Sequence, residues 1–311
     1  MAGEFQLIDL IARATARRRA DVALGIGDDG AVLRVPRGRE LVVAVDTLVA
    51  GVHFPRDTAP ADVGWKSLAV NLSDLAAMGA EPAWATLALT LPEPDAQWVR
   101  AFARGFAALA KRHGVALVGG DTTRGPLCVT VQAHGFVPPR RALRRDGARA
   151  GDAVFVSGTL GDAAAGLAHP RVAPLRARLD RPTPRVALGL ALRGVASAAI
   201  DVSDGLAADL GHVLDASGVG AALDVDAMPA SNALRGAVAD LRALQLGGGD
   251  DYELCFTVPA KRVDRVARIA RDLRTPLTRI GTIERERGLR DADGRTLARS
   301  GYVHFTGSTK R

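Results

Sequence analysis

Nine aspartates lie in six short clusters that are flanked by glycine, serine or threonine along the chain. The clusters hold Asp28 with Asp29, Asp46, Asp74, Asp121, Asp201 with Asp204, and Asp250 with Asp251. If several of these carboxylates meet in the folded chain, they cannot all stay ionised without cations, because like charges raise one another's pKa. Mg²⁺ takes oxygen ligands and is commonly shared with substrate phosphates. The pattern therefore predicts metal-assisted phosphate chemistry.

Each cluster also has an ordinary structural interpretation. Aspartate beside glycine is a common turn residue, because its carboxylate accepts hydrogen bonds from nearby backbone. A shared site is favoured by the positions of the clusters in the predicted elements. Asp46 and Asp121 follow strands, Asp74 lies on the polar face of a helix, and Asp201 and Asp204 flank a strand-to-helix turn. Side chains at such positions can enter one cleft from distant segments.

The familiar phosphate-binding and nucleophile motifs do not occur in the sequence. There is no Gly-x4-Gly-Lys-Ser/Thr loop and no protein-kinase signature. The six histidines have no recognisable serine or cysteine partner motif. An acceptor that is itself a nucleophile fits this absence, since a phosphate monoester, with a second pKa of about 6, is mostly dianionic near neutral pH. Such an acceptor needs charge neutralisation and no general base.

Composition narrows the class of protein. The chain has 311 residues, 48% of them hydrophobic, which is enough for two globular domains. Its formal net charge is +7, but the arginines are spread along the chain in short groups, such as Arg17–Arg19, Arg140 with Arg141, and Arg285 with Arg287. Only 4% of residues are aromatic. Because no stacking motif or zinc-finger spacing accompanies the charge, we expect no nucleic-acid partner. The arginines are equally suited to small anionic substrates.

Cys128 and Cys255 each lie in an apolar run, which predicts two buried thiols and no disulfide framework. Asp9 and Arg13 interrupt the N-terminal apolar residues, and no apolar run reaches the about 18 residues of a membrane span. We therefore expect a cytoplasmic protein without a membrane partner.

Hydrophobic periodicity predicts the elements that position the first four clusters. We expect a helix over residues 5–20, strands over 31–35 and 41–46, and a helix from Pro60 to Gly79. A further strand over 115–118 then runs into Gly119, Gly120 and Asp121.

The domain organisation is predicted from the middle of the chain. Residues 138–151 are rich in proline, arginine and glycine and have no apolar periodicity, which is typical of a linker. We expect an N-terminal domain over 1–137 and a C-terminal domain over 152–311. The second domain alternates strands and helices, which indicates a largely buried sheet.

Six motifs occur in an order that identifies a family. They are Gly25-Ile-Gly-Asp-Asp-Gly30, Asp46-Thr-Leu-Val-Ala-Gly-Val-His-Phe54, Lys66-Ser-Leu-Ala-Val-Asn-Leu-Ser-Asp-Leu-Ala-Ala-Met-Gly79, Gly119-Gly-Asp-Thr-Thr123, Asp201-Val-Ser-Asp-Gly205 and Gly248-Gly-Asp-Asp-Tyr-Glu-Leu-Cys-Phe256. The run resembles the thiamine-monophosphate kinase family, which is part of a superfamily of ATP-using enzymes similar to aminoimidazole ribonucleotide synthetase. The resemblance covers nearly the whole chain.

The resemblance implies an α+β N-terminal domain followed by an α/β C-terminal domain, in the two-domain architecture of aminoimidazole ribonucleotide synthetase. It implies ATP-dependent phosphorylation of thiamine monophosphate to thiamine diphosphate by direct transfer, with several Mg²⁺ ions and a homodimer that pairs through its N-terminal sheets. One alternative is another ATP-dependent phosphotransferase or ligase of the superfamily acting on a different small acceptor. Another is a binder that has lost turnover.

The family motifs also imply the site residues. The implied metal ligands are Asp29, Asp46, Asp74, Asp121, Asp201 and Asp204. The implied ATP contacts are Gly120, Asp121, Arg145 and Ser203. The implied substrate contacts are His53, Asp250 and Tyr302, and Asp28 adjoins the metal site.

Two departures from the family pattern occur, at Ala44 with Val45 and at Asp250. Ala44 and Val45 replace the hydroxyl residues that often precede the aspartate matched by Asp46, so any metal contact there must come from a backbone carbonyl. Asp250 replaces a glutamate, and a carboxylate that is shorter by one methylene weakens or rearranges a substrate contact.

Overall fold

The computed structural model describes residues 3–304 of the chain. The chain divides into two compact units. The first comprises Met1–Ala142 and Asp180–Arg193, and the second comprises Leu143–Leu179 and Gly194–Arg311. The expected limits of the N-terminal domain (1–137), the linker (138–151) and the C-terminal domain (152–311) remain predictions.

Ten α-helices lie within the described residues. They are α1 (Glu4–Thr15), α2 (Pro60–Ala77), α3 (Ala96–His113), α4 (Asp162–Ala168), α5 (Ala173–Asp180), α6 (Val186–Leu192), α7 (Leu206–Ser217), α8 (Asn232–Ala237), α9 (Arg242–Gly247) and α10 (Val263–Leu273). No helix in this part of the chain is long and apolar enough to cross a membrane.

Twelve strands accompany the helices over the same residues. They are β1 (Val22–Leu24), β2 (Val32–Leu33), β3 (Glu40–Val49), β4 (Glu81–Leu91), β5 (Ala116–Arg124), β6 (Cys128–Val137), β7 (Ala153–Ser157), β8 (Ala198–Val202), β9 (Gly220–Leu223), β10 (Glu253–Val258), β11 (Leu277–Glu284) and β12 (Gly288–Asp291).

The first unit is built on a four-stranded sheet in the order β3-β6-β4-β5. β6 is antiparallel to both of its neighbours, and β4 is parallel to β5. Helix α2 packs on β3 and β6, while α1 packs on α3 and β5. Along β3, residues alternate between more buried and more exposed positions, as expected when helices cover one face of a sheet. Leu41, Val43 and Val45 form the exposed set.

Helices α2 and α3 cross with their backbones in contact. A Cβ atom on Gly64 of α2 would lie 2.1 Å from the carbonyl oxygen of Phe102, and one on Gly105 of α3 would lie 1.7 Å from that of Ala61. Only glycine fits at these distances. Fourteen of the 18 residues of α2 are buried, so the position of this helix on the sheet is fixed by packing.

The second unit is built on a six-stranded sheet in the order β12-β9-β11-β7-β10-β8. The β9–β12 pairing is parallel and the other four pairings are antiparallel. Every residue of β7, β8 and β10 is buried, as the apolar runs predict. Helix α7 packs against β8 and β9 and contributes Leu210 and Leu214 to the core.

Three elements of the first unit differ from the sequence predictions. Helix α1 ends at Thr15 rather than near residue 20, because the backbone of Ala16 leaves the helical conformation, with φ of −52° and ψ of 119°. Beyond that point Arg19 donates to both carboxylate oxygens of Asp21, at 2.9 and 2.7 Å. Strands β3 and β5 continue past Asp46 and Asp121, so both aspartates lie within strands rather than at strand ends.

The two cysteines are unpaired, as expected. Cys255 is buried in β10, where burial raises the pKa of its thiol. Cys128 is only partly buried at the start of β6, so the prediction of a buried thiol is wrong there. Neither thiol is needed by the chemistry considered below.

Candidate active site

Asp46 and Gly120 lie in one row across the sheet of the first unit. Asp46 of β3 is opposite Val131 of β6, Val131 is opposite Leu87 of β4, and Leu87 is opposite Gly120 of β5. Asp121 begins the next row. Three strand spacings of about 4.8 Å put the two aspartate backbones about 14 Å apart along the sheet. The pairing register thus places Asp46 and Asp121 on the two edge strands of one sheet, β3 and β5.

Gly120 is the residue that lets β5 carry Asp121 at this position. Its φ is +152°, and a Cβ atom there would lie 1.8 Å from the carbonyl oxygen of Leu87. Both the backbone conformation and the close approach to β4 exclude any other residue. Asp121 itself is exposed.

Helix α2 contributes Asp74, which is half-buried, and Asn71, which is fully buried. The two are three residues apart and are neighbours on the helix surface. The amide nitrogen of Asn71 donates to the carbonyl oxygen of Ser67 at 3.1 Å. Its amide oxygen has no hydrogen-bond partner among the described residues. A buried oxygen without a donor fits a cation or a water molecule beside Asp74.

His53 lies in the turn after β3, where its orientation is fixed. Its Nδ1 accepts the backbone N–H of Val49 at 2.9 Å, so in the neutral ring the proton is on Nε2. The ammonium group of Lys66, on a side chain only 1% exposed, donates to the carbonyl oxygen of His53 at 3.1 Å. A buried lysine thus fixes the backbone of the turn that carries this histidine.

Asp28 and Asp29 lie in the exposed segment between β1 and β2. The carboxylate of Asp28 accepts the backbone N–H of Asp29 at 2.9 Å, which is the local bonding expected of an aspartate in a turn. Asp28 therefore supports the conformation of Asp29.

In the second unit, three loops bond to one another and bring together four residues that the family motifs imply. The backbone N–H of Asp250 donates to the carbonyl oxygen of Ser203 at 2.8 Å. The backbone N–H of Tyr302 donates to the carbonyl oxygen of Asp204 at 2.9 Å. We call these four residues the loop cluster. Residues from three segments, spread over positions 203–302, thus share one surface of this unit.

The carboxylate of Asp209 holds the backbone of the loop cluster, a role that the sequence did not indicate. One of its carboxylate oxygens accepts the backbone N–H groups of Ser203, Asp204 and Gly205, each at 3.0 Å. Burial, followed by the nearby charges of Asp201 and Asp204, raises the pKa of Asp209 to about 7. The only sequence signal for this role was an acidic residue in the first turn of α7.

Asp250 and Tyr252 have left-handed backbone conformations, with φ of 68° and 49°. Such conformations are strained for residues other than glycine and are often found at functional sites. The hydroxyl of Tyr252 donates to Oδ1 of Asp250 at 2.9 Å. This bond fixes the carboxylate implied to contact substrate.

A buried polar network lies next to this segment. Arg178 donates to Oε1 of Glu253 at 2.8 Å and to the carbonyl oxygen of Asp251 at 3.3 Å. The other carboxylate oxygen of Glu253 accepts the hydroxyl of Ser157 at 2.5 Å. The carboxylate of Asp251 accepts the backbone N–H of Gly161 at 2.6 Å, and burial raises its pKa to about 8. The network joins the loop after β7 to the segment before β10.

Arg145 is exposed, and its guanidinium makes no ion pair or hydrogen bond with the described residues. Its neighbour Arg144, by contrast, is paired with Asp146 at 2.5 Å. Arg145 is thus the arginine of this pair that is available to an anion.

Among residues 3–304, no three histidine, cysteine or acidic side chains are arranged as a ready metal site. The donor chemistry nevertheless fits hard cations in both units. In the second unit, the mutual repulsion of Asp201, Asp204 and Asp209 would be relieved by a cation. In the first unit, the unbonded amide oxygen of Asn71 lies one turn from Asp74. The metal ligands stay a prediction.

Comparison with known proteins places both parts of the chain in one class. Residues 27–137 match the N-terminal domain, and residues 149–292 the C-terminal domain, of AIR synthase related proteins. The expected two-domain architecture is confirmed.

Individual relatives narrow this class. The thiamine-monophosphate kinase of Salmonella typhimurium is 50% identical over 97% of this chain and 98% of its own length. The crystal structure of thiamine-monophosphate kinase from Stenotrophomonas maltophilia is 53% identical, with a TM-score of 0.88 over 94% of this chain and 96% of the other. AaThiL complexed with AMPPCP and TMP is 34% identical, with a TM-score of 0.80 over 97% of both chains. The chain belongs to the thiamine-monophosphate kinase family.

Proposed function

We propose that this protein transfers the terminal phosphoryl group of ATP to the phosphate of thiamine monophosphate, giving thiamine diphosphate and ADP. The observation that carries this proposal is the similarity to thiamine-monophosphate kinases over almost the full length of both chains. The related structure of AaThiL is a complex with AMPPCP, which is an ATP analogue, and TMP.

In the first unit, we assign Asp29, Asp46, Asp74 and Asp121 to Mg²⁺ ions. Bound Mg²⁺ would neutralise the repulsion between donor and acceptor phosphates. Gly120 keeps β5 close to β4 and so fixes the position of Asp121, and the Nε2–H of His53 is suited to donate to the acceptor phosphate.

In the second unit, the proposed roles follow the loop cluster. Asp201 and Asp204 hold metal, and Ser203 and Arg145 contact ATP. Asp250, fixed by Tyr252, and the aromatic ring of Tyr302 contact thiamine monophosphate. Tyr302 is 47% exposed, so part of its ring is accessible to a flat ligand.

The chemistry requires no general base from the protein. The acceptor phosphate is mostly dianionic near neutral pH, since its second pKa is about 6. The protein's contribution is to align the two phosphates and to offset their charge. This is the main requirement of phosphoryl transfer.

We also propose a homodimer formed through the exposed face of the first sheet. Leu41, Val43 and Val45 are 43%, 47% and 59% exposed on β3, at the edge of the sheet. Adjacent apolar side chains on an open sheet face favour association with another copy. The cytoplasmic location expected from the sequence remains a prediction.

The test is chromatographic detection of thiamine diphosphate after incubation of the purified protein with ATP, thiamine monophosphate and Mg²⁺. Asp74→Asn and Asp121→Asn should each lower turnover more than the roughly 10- to 100-fold typical of outer-shell metal residues. Asp272→Asn, at an exposed position on α10, is the matched control and should keep full activity. Wild-type turnover in both variants would contradict the metal assignment.

A second function within the superfamily is favoured by one observation. Asp250 is shorter than the glutamate usual at this position, so a different acceptor is possible at this contact. Release of ADP with other small acceptors, but no formation of thiamine diphosphate, would favour this function over the first.

A further inference from the structure

The run Arg17–Arg19 follows α1 and lines a cavity in the first unit that none of the assigned residues uses. The cavity has a volume of about 460 Å³, within the usual range for small-molecule sites. Its remaining walls are largely apolar and include Ala12, Val22, Ile26 and Leu117. A charged rim over an apolar floor is suited to a ligand with an anionic group and an uncharged ring.

The three arginines differ in their bonding. Arg19 is already engaged, since it donates to Asp21 and, at 2.7 Å, to the carbonyl oxygen of Gly114. Arg17 and Arg18 are exposed and form no ion pair or hydrogen bond with the described residues. Two guanidinium groups at one rim provide several N–H donors in the geometry that phosphate oxygens accept.

We propose that this cavity is a separate binding site for a nucleoside di- or triphosphate. Arg17 and Arg18 would bind the phosphates, and the apolar floor would hold the base. A neutral base fits better than a cationic ring such as that of a thiamine phosphate, because the arginine rim would repel a positive charge. A free nucleotide fits better than a nucleic acid, because no exposed aromatic residue lines the cavity for stacking successive bases.

The cavity is next to the residues proposed for ATP. Ile26 and Leu117 also line a smaller cavity that includes Gly120 and Asp121. Gly25 and Ile26, in turn, lead into the segment that carries Asp29. Binding at the arginine rim needs none of the residues assigned to metal, ATP or thiamine monophosphate. Failure of the kinase reaction would therefore leave this site open to test.

The experiment is calorimetric titration of the full chain with a non-hydrolysable ATP analogue, with Mg²⁺ and with a chelator. The metal-free titration should show one site per chain. The Arg17→Ala/Arg18→Ala variant should bind it about a hundredfold more weakly, since each lost charged hydrogen-bonding group costs about tenfold. The matched control is Arg265→Ala/Arg268→Ala, which removes two exposed arginines from α10 and should not change the affinity.

A buried tryptophan reports on the cavity directly. The indole N–H of Trp84 donates to Oδ1 of Asp21 at 3.1 Å, and Asp21 is the carboxylate that Arg19 holds. In a nitrogen–proton correlation spectrum, the indole N–H signal of Trp84 is identified by its loss in the Trp84→Phe variant. Addition of the nucleotide without metal should shift this signal. The signals of the other two tryptophans should stay in place.

Four results would overturn the proposal. The first is no binding of the nucleotide in the absence of metal, and the second is an equal loss of affinity in the two double variants. The third is binding of only one nucleotide per chain in the presence of Mg²⁺, with an affinity that the Arg17/Arg18 substitutions lower. The fourth is binding of a single-stranded oligonucleotide without binding of the mononucleotide. The third result would assign Arg17 and Arg18 to the ATP site itself, and the fourth would favour a nucleic-acid partner.

Discussion

Removing one hydroxyl group tests whether Tyr252 positions Asp250 for substrate binding. Tyr252→Phe deletes the donor to Oδ1 of Asp250 and keeps the ring, which is 8% exposed. The backbone bonds from Asp250 to Ser203 and from Tyr252 to Val202, both 2.8 Å, remain. The loop should therefore fold, but the carboxylate loses its fixed direction.

The size of the effect follows from the bond that is lost. A hydrogen bond to a charged group contributes about 1.5–3 kcal/mol. Asp250 is half-buried, so water replaces part of this, and we expect the lower end of the range. That predicts a KM for thiamine monophosphate about tenfold higher, with a smaller change in kcat. A loss of about 1 kcal/mol in stability would lower Tm by about 2–4 °C.

The chain offers a matched control, because it has two tyrosines and both lie near the loop cluster. Tyr302→Phe removes a hydroxyl that bonds to none of the described residues, while its ring, 4.9 Å from that of His304, is kept. Steady-state kinetics should show a KM within about twofold of wild type, as expected when no hydrogen bond is lost. A wild-type KM in Tyr252→Phe, or an equal rise in both variants, would refute the positioning role.

Three further predictions concern stability and assembly. Arg178→Met should lower the free energy of unfolding by about 3 kcal/mol in urea titrations, because it removes the positive charge that is paired with the buried carboxylate of Glu253, and Glu253→Gln in that background should restore part of the loss. A loss below about 1 kcal/mol would contradict a buried ion pair. Because burial raises the pKa of Asp251 to about 8 from 3.8, the folded state retains a proton that the unfolded state releases, so stability should fall as pH rises between those values. Asp251→Asn should flatten part of that slope, and an unchanged slope would assign the proton elsewhere. Val43→Glu should shift sedimentation from dimer to monomer, and a dimer of unchanged strength would place the interface on another surface.

Helix α2 was predictable from sequence, whereas the extent of the edge strands was not. Pro60 begins the helix and Gly79 follows its end, as the periodicity indicates. In contrast, Gly119, Gly120 and Asp121 have the composition of a turn but form part of β5. Gly120 is required there by the carbonyl of Leu87 on a neighbouring strand, which is a tertiary contact that local sequence does not reveal.

The family motifs name candidate site residues but do not give their arrangement. The family motifs named Ser203, Asp204, Asp250 and Tyr302, and the structure brings these four together in one unit. The motifs did not indicate Asp209, because its partners are backbone N–H groups and leave no signature in side-chain identity. Nor did the alternation of strands and helices predict that most pairings in the second sheet are antiparallel.

The close crossing of α2 and α3 at Gly64 and Gly105 has a consequence for laboratory recombination of related genes. Each of these glycines accommodates the backbone of the opposite helix, so a chimaera that takes α2 from one parent and α3 from another would join two surfaces that evolved apart. Asp74 lies ten residues beyond Gly64, about 15 Å along the same helix, and would be displaced by any misfit. Residues 60–113 are best exchanged as a single block.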